Sequence, residues 1–235
     1  VNGSATGNKI EVKESNSVGI FAKLTENTTS RQTITNEGKI TLNGGSTKTS
    51  SVGIYSLIED KAVQAGKVQT IANTGTIGVG TKSSAGIYVK DSRTTGTNLV
   101  SLVKNERTIN VTEESSAGII GEYSQITNGN PLTKNGVIEL SAKKTAGIIA
   151  TKSSKVTNKG NITLTGPTGG ITVSSDGLVG VSLAGSELTN ENTITMNTAF
   201  STGVYANDYV NGSTRTKSKV TNEKDILVKN KKSVG

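Results

Sequence analysis

Residues 36–42 read Asn-Glu-Gly-Lys-Ile-Thr-Leu, and residues 51–54 read Ser-Val-Gly-Ile. These two motifs, Asn-x-Gly-x-Ile-x-(Leu/Val) and Ser-(Ala/Val)-Gly-Ile, alternate from one end of the chain to the other. Repetition at a period of roughly 20–50 residues is typical of a solenoid, a propeller or an array of stacked units. The isoleucine of the first motif recurs at steps of 24 to 37 residues, at Ile10, Ile40, Ile77, Ile109, Ile138, Ile162, Ile194 and Ile226.

Each repeat contains three short β-prone runs, separated by Gly, Asn and Ser residues. Two runs are the motifs themselves, and the third precedes the asparagine, as in residues 34–36 (Ile-Thr-Asn). No run has the spacing of an amphipathic helix. Three short strands per repeat, stacked repeat on repeat, predict a parallel β-helix, and the handedness of parallel connections predicts a right-handed coil. We therefore expect an all-β fold of about seven coils, with loop insertions between strands.

Alternation along the second motif predicts which of its side chains face the core. Val52, Ile54 and Ser56 would point inward, whereas Gly53 and Tyr55 would point outward, because successive side chains of a strand face opposite sides. The glycines that match Gly53 in other repeats would then form an outward column. Glycine inside a strand marks either a bend or the close approach of another backbone. The column therefore has two interpretations, a bend in every coil or a groove open to a partner.

An asparagine begins the first motif in nearly every repeat, and the fourth copy, at Asn135, is irregular because it lacks one residue. Asparagine tolerates tight corners, and identical amides can hydrogen-bond from turn to turn, so we predict a structural ladder rather than a ligand site. Gly38, Gly75 and Gly160 would serve the same corner where the backbone needs positive φ. Arg107, Asn192 and Lys224 replace this glycine in three copies, so positive φ is not required in every coil. The predicted ladder consists of Asn36, Asn73, Asn105, Asn158, Asn190 and Asn222.

A row of apolar residues occupies the outward position after the glycine column. Its members are Phe21, Tyr55, Tyr88, Ile120, Ile149, Ser182 and Tyr205. Exposed aromatic rows tend to mark contacts, and a tyrosine ring can pack on sugars or anchor proteins, so Phe21, Tyr55, Tyr88 and Tyr205 are the candidate binding residues. The alternative is that the insertions after this strand fold over the row. These insertions are predicted at residues 22–33, 56–70, 89–102, 121–131 and 206–219.

The composition is that of a solenoid with a thin core, since hydrophobic residues make up 31% and aromatic residues 3% of the chain. Cysteine and histidine are absent, which excludes disulfides, thiolate metal sites and the commonest general base. Phosphate-loop and calcium-repeat motifs are also missing, so we predict no catalytic residue, no metal and no cofactor. The net charge of +8 favours solubility or attraction to anionic glycans. Nucleic acid is not expected, because basic and aromatic residues do not interleave.

Residues 84–88 (Ser-Ala-Gly-Ile-Tyr), 116–120 and 157–164 carry a family resemblance. These runs resemble the passenger regions of the very large fusobacterial type V autotransporter adhesins. The resemblance covers nearly the whole chain. It implies a secreted passenger on the cell surface, anchored at the outer membrane through a C-terminal barrel outside this chain, and it implies no catalytic residue. We expect residues 1–235 to be a single β-helical segment of a longer passenger, without capping ends.

Three functions are compatible with these features. The segment could bind a host or bacterial cell-surface protein or glycan, as a monomeric rod with no direct membrane contact. It could instead be a stalk that holds a distal binding head. A carbohydrate-active enzyme fragment is the third possibility, because such enzymes share the fold, but adjacent acidic pairs such as Glu113 and Glu114 point apart on a strand and make poor acid/base couples.

Overall fold

The computed structural model describes residues 8–25, 31–59, 68–92, 101–133 and 135–235. In these ranges the chain forms three parallel sheets and one antiparallel hairpin. Sheet 1 contains β1 (Lys9–Val12), β4 (Lys39–Thr49), β7 (Thr76–Lys82), β10 (Thr108–Val111), β13 (Val137–Leu140), β16 (Asn161–Leu164), β19 (Ile194–Met196) and β24 (Ile226–Val228). Sheet 2 contains β2 (Val18–Leu24), β5 (Val52–Ile58), β8 (Ala85–Asp91), β11 (Ala117–Glu122), β14 (Ala146–Thr151), β17 (Val179–Ala184) and β20 (Thr202–Asn207). Sheet 3 contains β3 (Gln32–Asn36), β6 (Gln69–Asn73), β9 (Ser101–Asn105), β12 (Ser124–Asn128), β15 (Lys155–Asn158), β18 (Glu187–Asn190) and β23 (Lys219–Asn222). The hairpin pairs β21 (Tyr209–Asn211) with β22 (Thr214–Thr216), and Ser174–Asp176 forms a short 3-10 turn.

Each coil contributes one strand to each sheet, in the order sheet 1, sheet 2, sheet 3. The register follows the sequence repeat: Ile40 pairs with Ile77 in sheet 1, and Ile87 pairs with Ile119 in sheet 2. The three sheets hold eight, seven and seven strands. The predicted all-β parallel β-helix with three strands in each coil is therefore confirmed, and the arrangement is consistent with right-handed winding.

The core is a set of stacked columns of branched apolar side chains. Ile40 and Leu42 of sheet 1, and Ile54 of sheet 2, have no solvent exposure. Their equivalents in the next coils are buried too, including Ile77, Ile87 and others along each column. Each fully buried side chain of this size contributes about 1.5–3 kcal/mol. One or two such residues in each strand of a coil are enough, which explains how a chain with so few apolar residues holds a continuous core.

The corner between sheets 1 and 2 combines a left-handed residue with a serine ladder. Ser50 and Ser83 adopt φ of 62° and 53°. The backbone N–H of the following Ser51 donates to Oγ of Ser84 at 3.0 Å, and that of Ser84 donates to Oγ of Ser116 at 3.1 Å. Each hydroxyl thus satisfies a backbone donor in the neighbouring coil, which a buried corner requires. This serine ladder was not predicted from the sequence.

The glycine column of sheet 2 does not face outward, so that prediction was wrong. Gly53 is buried, and a Cβ added there would lie 2.6 Å from the carbonyl oxygen of Gly86 and 3.3 Å from Cγ2 of Ile77. The residues on either side stay in register, with Val52 opposite Ala85. Alternation breaks at the glycine because the strand bends there and its backbone approaches the next coil. The bend interpretation is therefore the correct one, and no open groove runs along this column.

The glycines that follow the ladder asparagines lie at the predicted corner, but for a reason other than positive φ. Gly38, Gly75 and Gly160 do not adopt positive φ. Glycine is instead required by space at two of them, because a Cβ on Gly75 would collide with the carbonyl oxygen of Gly38, and one on Gly160 with that of Gly136. Close stacking of corner backbones explains why the motif contains glycine.

The fourth coil differs from its predicted alignment. Residues 124–128 form β12, so only Tyr123 separates the second and third strands, and the insertion predicted between them at residues 121–131 is absent from that place. The extra residues of this coil follow Asn128 instead. Residues 206–219 do contain an insertion, the hairpin. The three remaining insertions were predicted at residues 22–33, 56–70 and 89–102. Their central parts, residues 26–30, 60–67 and 93–100, lie outside the described residues, so the covering of the aromatic row by these insertions stays a prediction.

Candidate functional site

Three aromatic side chains of the predicted row form a stack on the outer face of sheet 2. Phe21, Tyr55 and Tyr88 occupy the same register in β2, β5 and β8. The Phe21 and Tyr55 ring centroids lie 5.5 Å apart, and the Tyr55 and Tyr88 centroids 5.4 Å apart with planes inclined by 28°. Phe21 is 56% exposed, and both tyrosines are half-buried. We call these three residues the stack. Because neighbouring rings cover part of each other's faces, the stack presents mainly ring edges to a partner.

Tyr205 lies on the same outer row but apart from the stack. Ile120, Ile149 and Ser182 occupy the row between Tyr88 and Tyr205. Tyr205 is 52% exposed. The predicted binding residues therefore divide into one three-ring stack and one isolated tyrosine.

The stack ends in a network of polar side chains that was not predicted from the sequence. The Tyr88 hydroxyl donates to Oε1 of Glu122 at 2.8 Å, and Nζ of Lys152 donates to Oε2 of the same carboxylate at 2.7 Å. Burial raises the pKa of Tyr88 above its ordinary value, and the hydrogen bond to Glu122 adds to this shift. The same carboxylate raises the pKa of Lys152. An acidic residue at the end of one strand and a lysine directly after the next strand are the sequence signal that could have revealed the pair.

A recess opens beside this network, at the corner between sheets 2 and 3. The corner is tight in coils four to six, where Tyr123, Ser153 and Gly185 form its floor. In coil seven the same corner carries the hairpin. The recess, which we call the saddle, has a volume of about 170 Å³. Its sides are formed by Lys155, Glu187, Thr216 and Lys217.

The hairpin that forms one wall of the saddle packs on the coil below it, and an ion pair links two residues at the hairpin itself. A Cβ on Gly185 would lie 2.5 Å from Cβ of Tyr209, so glycine is needed for the hairpin to pack there. Nε of Arg215 lies 2.5 Å from Oδ2 of Asp208, and this contact lowers the pKa of the carboxyl group. Gly212, with φ of 58°, makes the two-residue turn.

The asparagines form one continuous column of amide hydrogen bonds. Nδ2 of Asn36 donates to Oδ1 of Asn73 at 2.7 Å, and each following amide repeats the contact. Asn128, not Asn135, fills the place between Asn105 and Asn158, whereas Asn135 is exposed. The column continues through Asn158, Asn190 and Asn222. All but the last are buried, so the structure places these side chains out of reach of a ligand.

Comparison with known families bears on the whole chain. The model of the BigA third pectate lyase-like domain matches residues 1–235. The chain belongs to this family. BigA is an autotransporter-type adhesin, so the membership supports a β-helical passenger segment with a surface-exposed location. Comparison with curated proteins and with solved structures finds no match.

As a BigA-type pectate lyase-like domain, the chain presents surfaces suited to contact. Among the described residues, no three acidic side chains come together as a metal site, and none of the described segments is an apolar helix able to cross a bilayer. Two features of the described residues that combine accessible aromatic and charged groups are the stack, with the polar network at its end, and the saddle. The stack lies on strands of sheet 2, and the floor of the saddle lies at the corners that follow such strands.

Proposed function

We propose that this domain is a segment of a surface-exposed autotransporter adhesin passenger that contacts a protein or glycan on another cell. The observation that carries the proposal is the exposed aromatic stack of Phe21, Tyr55 and Tyr88 on a rigid parallel sheet. Family membership supports the passenger assignment. The motif resemblance supports a large fusobacterial adhesin as the parent protein. In this proposal the domain binds and does not catalyse.

The geometry of the stack suits adhesion in two ways. Its rings are fixed by strand register, so little side-chain entropy is lost when a partner covers them. Tyrosine also combines an apolar ring with a polar tip, and Tyr and Trp side chains are common in interface hot spots. A partner would meet a flat strip of ring edges and the Glu122–Lys152 pair at its end.

The test is the double variant Tyr55→Ala and Tyr88→Ala, placed in the full passenger and displayed on cells. Attachment to target cells should fall about tenfold or more, because each lost anchor costs about 1–2 kcal/mol. The matched control is Thr163→Ala with Thr195→Ala, a pair in adjacent register on sheet 1. Circular dichroism and thermal melting of the 235-residue chain check folding. Lost stacking should lower stability by about 1–3 kcal/mol for the two rings, without loss of the β-helix.

A stalk is the second candidate function, and the asparagine column favours it. The column joins every coil from Asn36 to Asn222 and is suited to a stiff spacer. Equal attachment by the Tyr55/Tyr88 variant and the threonine control, with both folded, would establish the stalk as the better description of this segment.

A further inference from the structure

We propose that the saddle binds the carboxylate of an acidic sugar on a cell-surface glycan, with Lys155 and Lys217 as the cations and Tyr123 as the ring platform. The proposal rests on the adhesin function proposed above and names a ligand class for a second site. The stack and the saddle are separate surfaces, so each can be tested without the other.

The shape of the saddle follows from the corner lengths. Three successive coils turn tightly at Tyr123, Ser153 and Gly185, so the surface is lower at these corners. At about 4.8 Å per strand, the depression extends about 14 Å along the direction in which the coils stack. The hairpin then rises as a wall, with Thr216 and Lys217 facing the dip. The volume of about 170 Å³ is suited to one sugar ring with its substituents.

The charge of the saddle is suited to an anion. Lys217 forms no ion pair within 4 Å in the described ranges, although its charge acts on the Asp208 carboxylate that Arg215 contacts directly. Nζ of Lys155 lies 3.8 Å from the Glu187 carboxylate, and both side chains are more than half exposed, so this pair is loose. Lys152 is already held by Glu122 at 2.7 Å and is not counted. A carboxylate between Lys155 and Lys217 would gain two charge-assisted hydrogen bonds.

Tyr123 has an unusual backbone for a bulky residue. Its φ is 48°, in the left-handed region that asparagine and glycine occupy more readily. Its backbone N–H donates to the carbonyl of Thr151 at 3.1 Å, which holds this conformation. The same corner is left-handed at Ser153 and Gly185 in the next two coils, so this conformation belongs to the tight turn. A tyrosine here puts an aromatic ring on the floor of a cationic recess, which is the combination that a charged sugar needs.

An acidic peptide fits the saddle less well. Peptides that bind β-proteins commonly add a strand to an open sheet edge. The parallel strands beside the saddle have no open edge, because β15 is paired with β12 and β18, and β18 is paired with β15 and β23. The hairpin strand β22 has one unpaired edge, but it is only three residues long. A compact ring bearing hydroxyl groups can instead use the Ser153 and Thr216 side chains that line the recess.

The experiment is an NMR titration of the isotope-labelled 235-residue chain with 3′-sialyllactose, a hyaluronan tetrasaccharide, lactose and a poly-glutamate peptide. The two acidic saccharides separate a sialic acid from a uronic acid as the source of the carboxylate. At least one should shift the resonances of Gly185 and Lys217, and lactose should not. Binding should weaken as NaCl rises from about 50 mM to about 500 mM, since screening acts on exposed charges.

Single variants then assign the residues. Lys155→Ala and Lys217→Ala should each weaken binding about threefold to tenfold. Lys39→Ala removes the same charge from exposed sheet 1 and should change affinity less than about twofold. Tyr123→Asn keeps a residue that tolerates positive φ but removes the ring, and it should also weaken binding.

Several results would overturn the proposal. The proposal is wrong if neither acidic saccharide binds, or if lactose binds as well as they do. It is also wrong if poly-glutamate shifts the same resonances as strongly as the acidic saccharides or more strongly, or if Lys217→Ala and Lys39→Ala change affinity equally. None of these results bears on attachment through the stack. Conversely, a cell-attachment defect in the Tyr55/Tyr88 variant would leave the saddle to be judged by its own titration.

Discussion

The hydroxyl of Tyr88 donates a 2.8 Å hydrogen bond to Glu122, which lies one coil away and one outward position further along sheet 2. The folded protein holds the Tyr88 proton more tightly than the unfolded chain, mainly because burial disfavours the phenolate. The resulting stability is fully present below the ordinary tyrosine pKa of about 10 and is lost as the pH rises above it. The contact therefore links the stack to alkaline stability.

Replacing Glu122 with glutamine should lower the pKa of Tyr88 towards its ordinary value, because the negative charge and its hydrogen bond are removed. The shift should be read by NMR titration of ¹³C-labelled tyrosine. Glu139→Gln, on the outer face of sheet 1, is the control and should leave Tyr88 unchanged. Equal titration of Tyr88 in the parent and in Glu122→Gln would show that burial alone sets its pKa.

Ile87→Asp should unfold the coils around it. Ile87 has no exposure and stacks between Ile54 and Ile119, so the variant would bury an unpaired carboxylate at a cost of several kcal/mol. Thr195→Asp puts the same charge on the outer face of sheet 1 and should change stability by less than about 1 kcal/mol. Urea unfolding followed by circular dichroism measures both. If Ile87→Asp unfolds at the same urea concentration as the parent, the inward and outward faces of sheet 2 have been assigned the wrong way round.

Asn105→Ala should open the asparagine column in its middle. The Asn73 amide would lose its acceptor and Asn128 its donor, both buried, so we expect a loss of about 2–5 kcal/mol. Asn222→Ala removes an exposed end of the same column and should cost about 1 kcal/mol or less. Hydrogen exchange would locate the damage, which should centre on β9 and β12. Similar losses for the two variants would mean that burial does not set the strength of the column.

The strands and the core could be predicted from sequence because each depends on a residue's place in the repeat. Ile40, Ile77 and their equivalents occur at one position in every repeat, and parallel stacking converts that identity directly into a buried column. The β12 strand was missed although residues 126–128 read Ile-Thr-Asn, as residues 34–36 do. The fourth repeat was aligned on Asn135 instead, whose Asn-Gly pair imitates the motif.

The candidate sites were only partly predictable. The stack followed from strand alternation, since Tyr55 and Tyr88 fall at equivalent positions. The orientation of Gly53 did not, because alternation fails where a strand bends. The saddle depends on three tight corners and on a hairpin from a later coil. Only the short spacing after Ile149 and Ser182 hinted at it, and spacing alone does not show which side chains converge.

The bend at the sheet 2 glycines gives the last prediction, a contrast between two glycine-to-alanine variants. Gly86→Ala would place a Cβ 2.7 Å from the carbonyl oxygen of Gly118 and 3.1 Å from Cγ2 of Ile109. Neither neighbour can retreat without disturbing a column, so we expect a loss of about 1–3 kcal/mol. Gly78→Ala, in sheet 1, would meet its nearest atom, Cγ2 of Thr41, at an ordinary 3.8 Å. This variant should be neutral or slightly stabilising, because alanine restricts the unfolded chain more than glycine does. Urea midpoints for the two proteins decide the matter: a Gly86→Ala protein as stable as Gly78→Ala would mean that the coils are not packed backbone to backbone at this column.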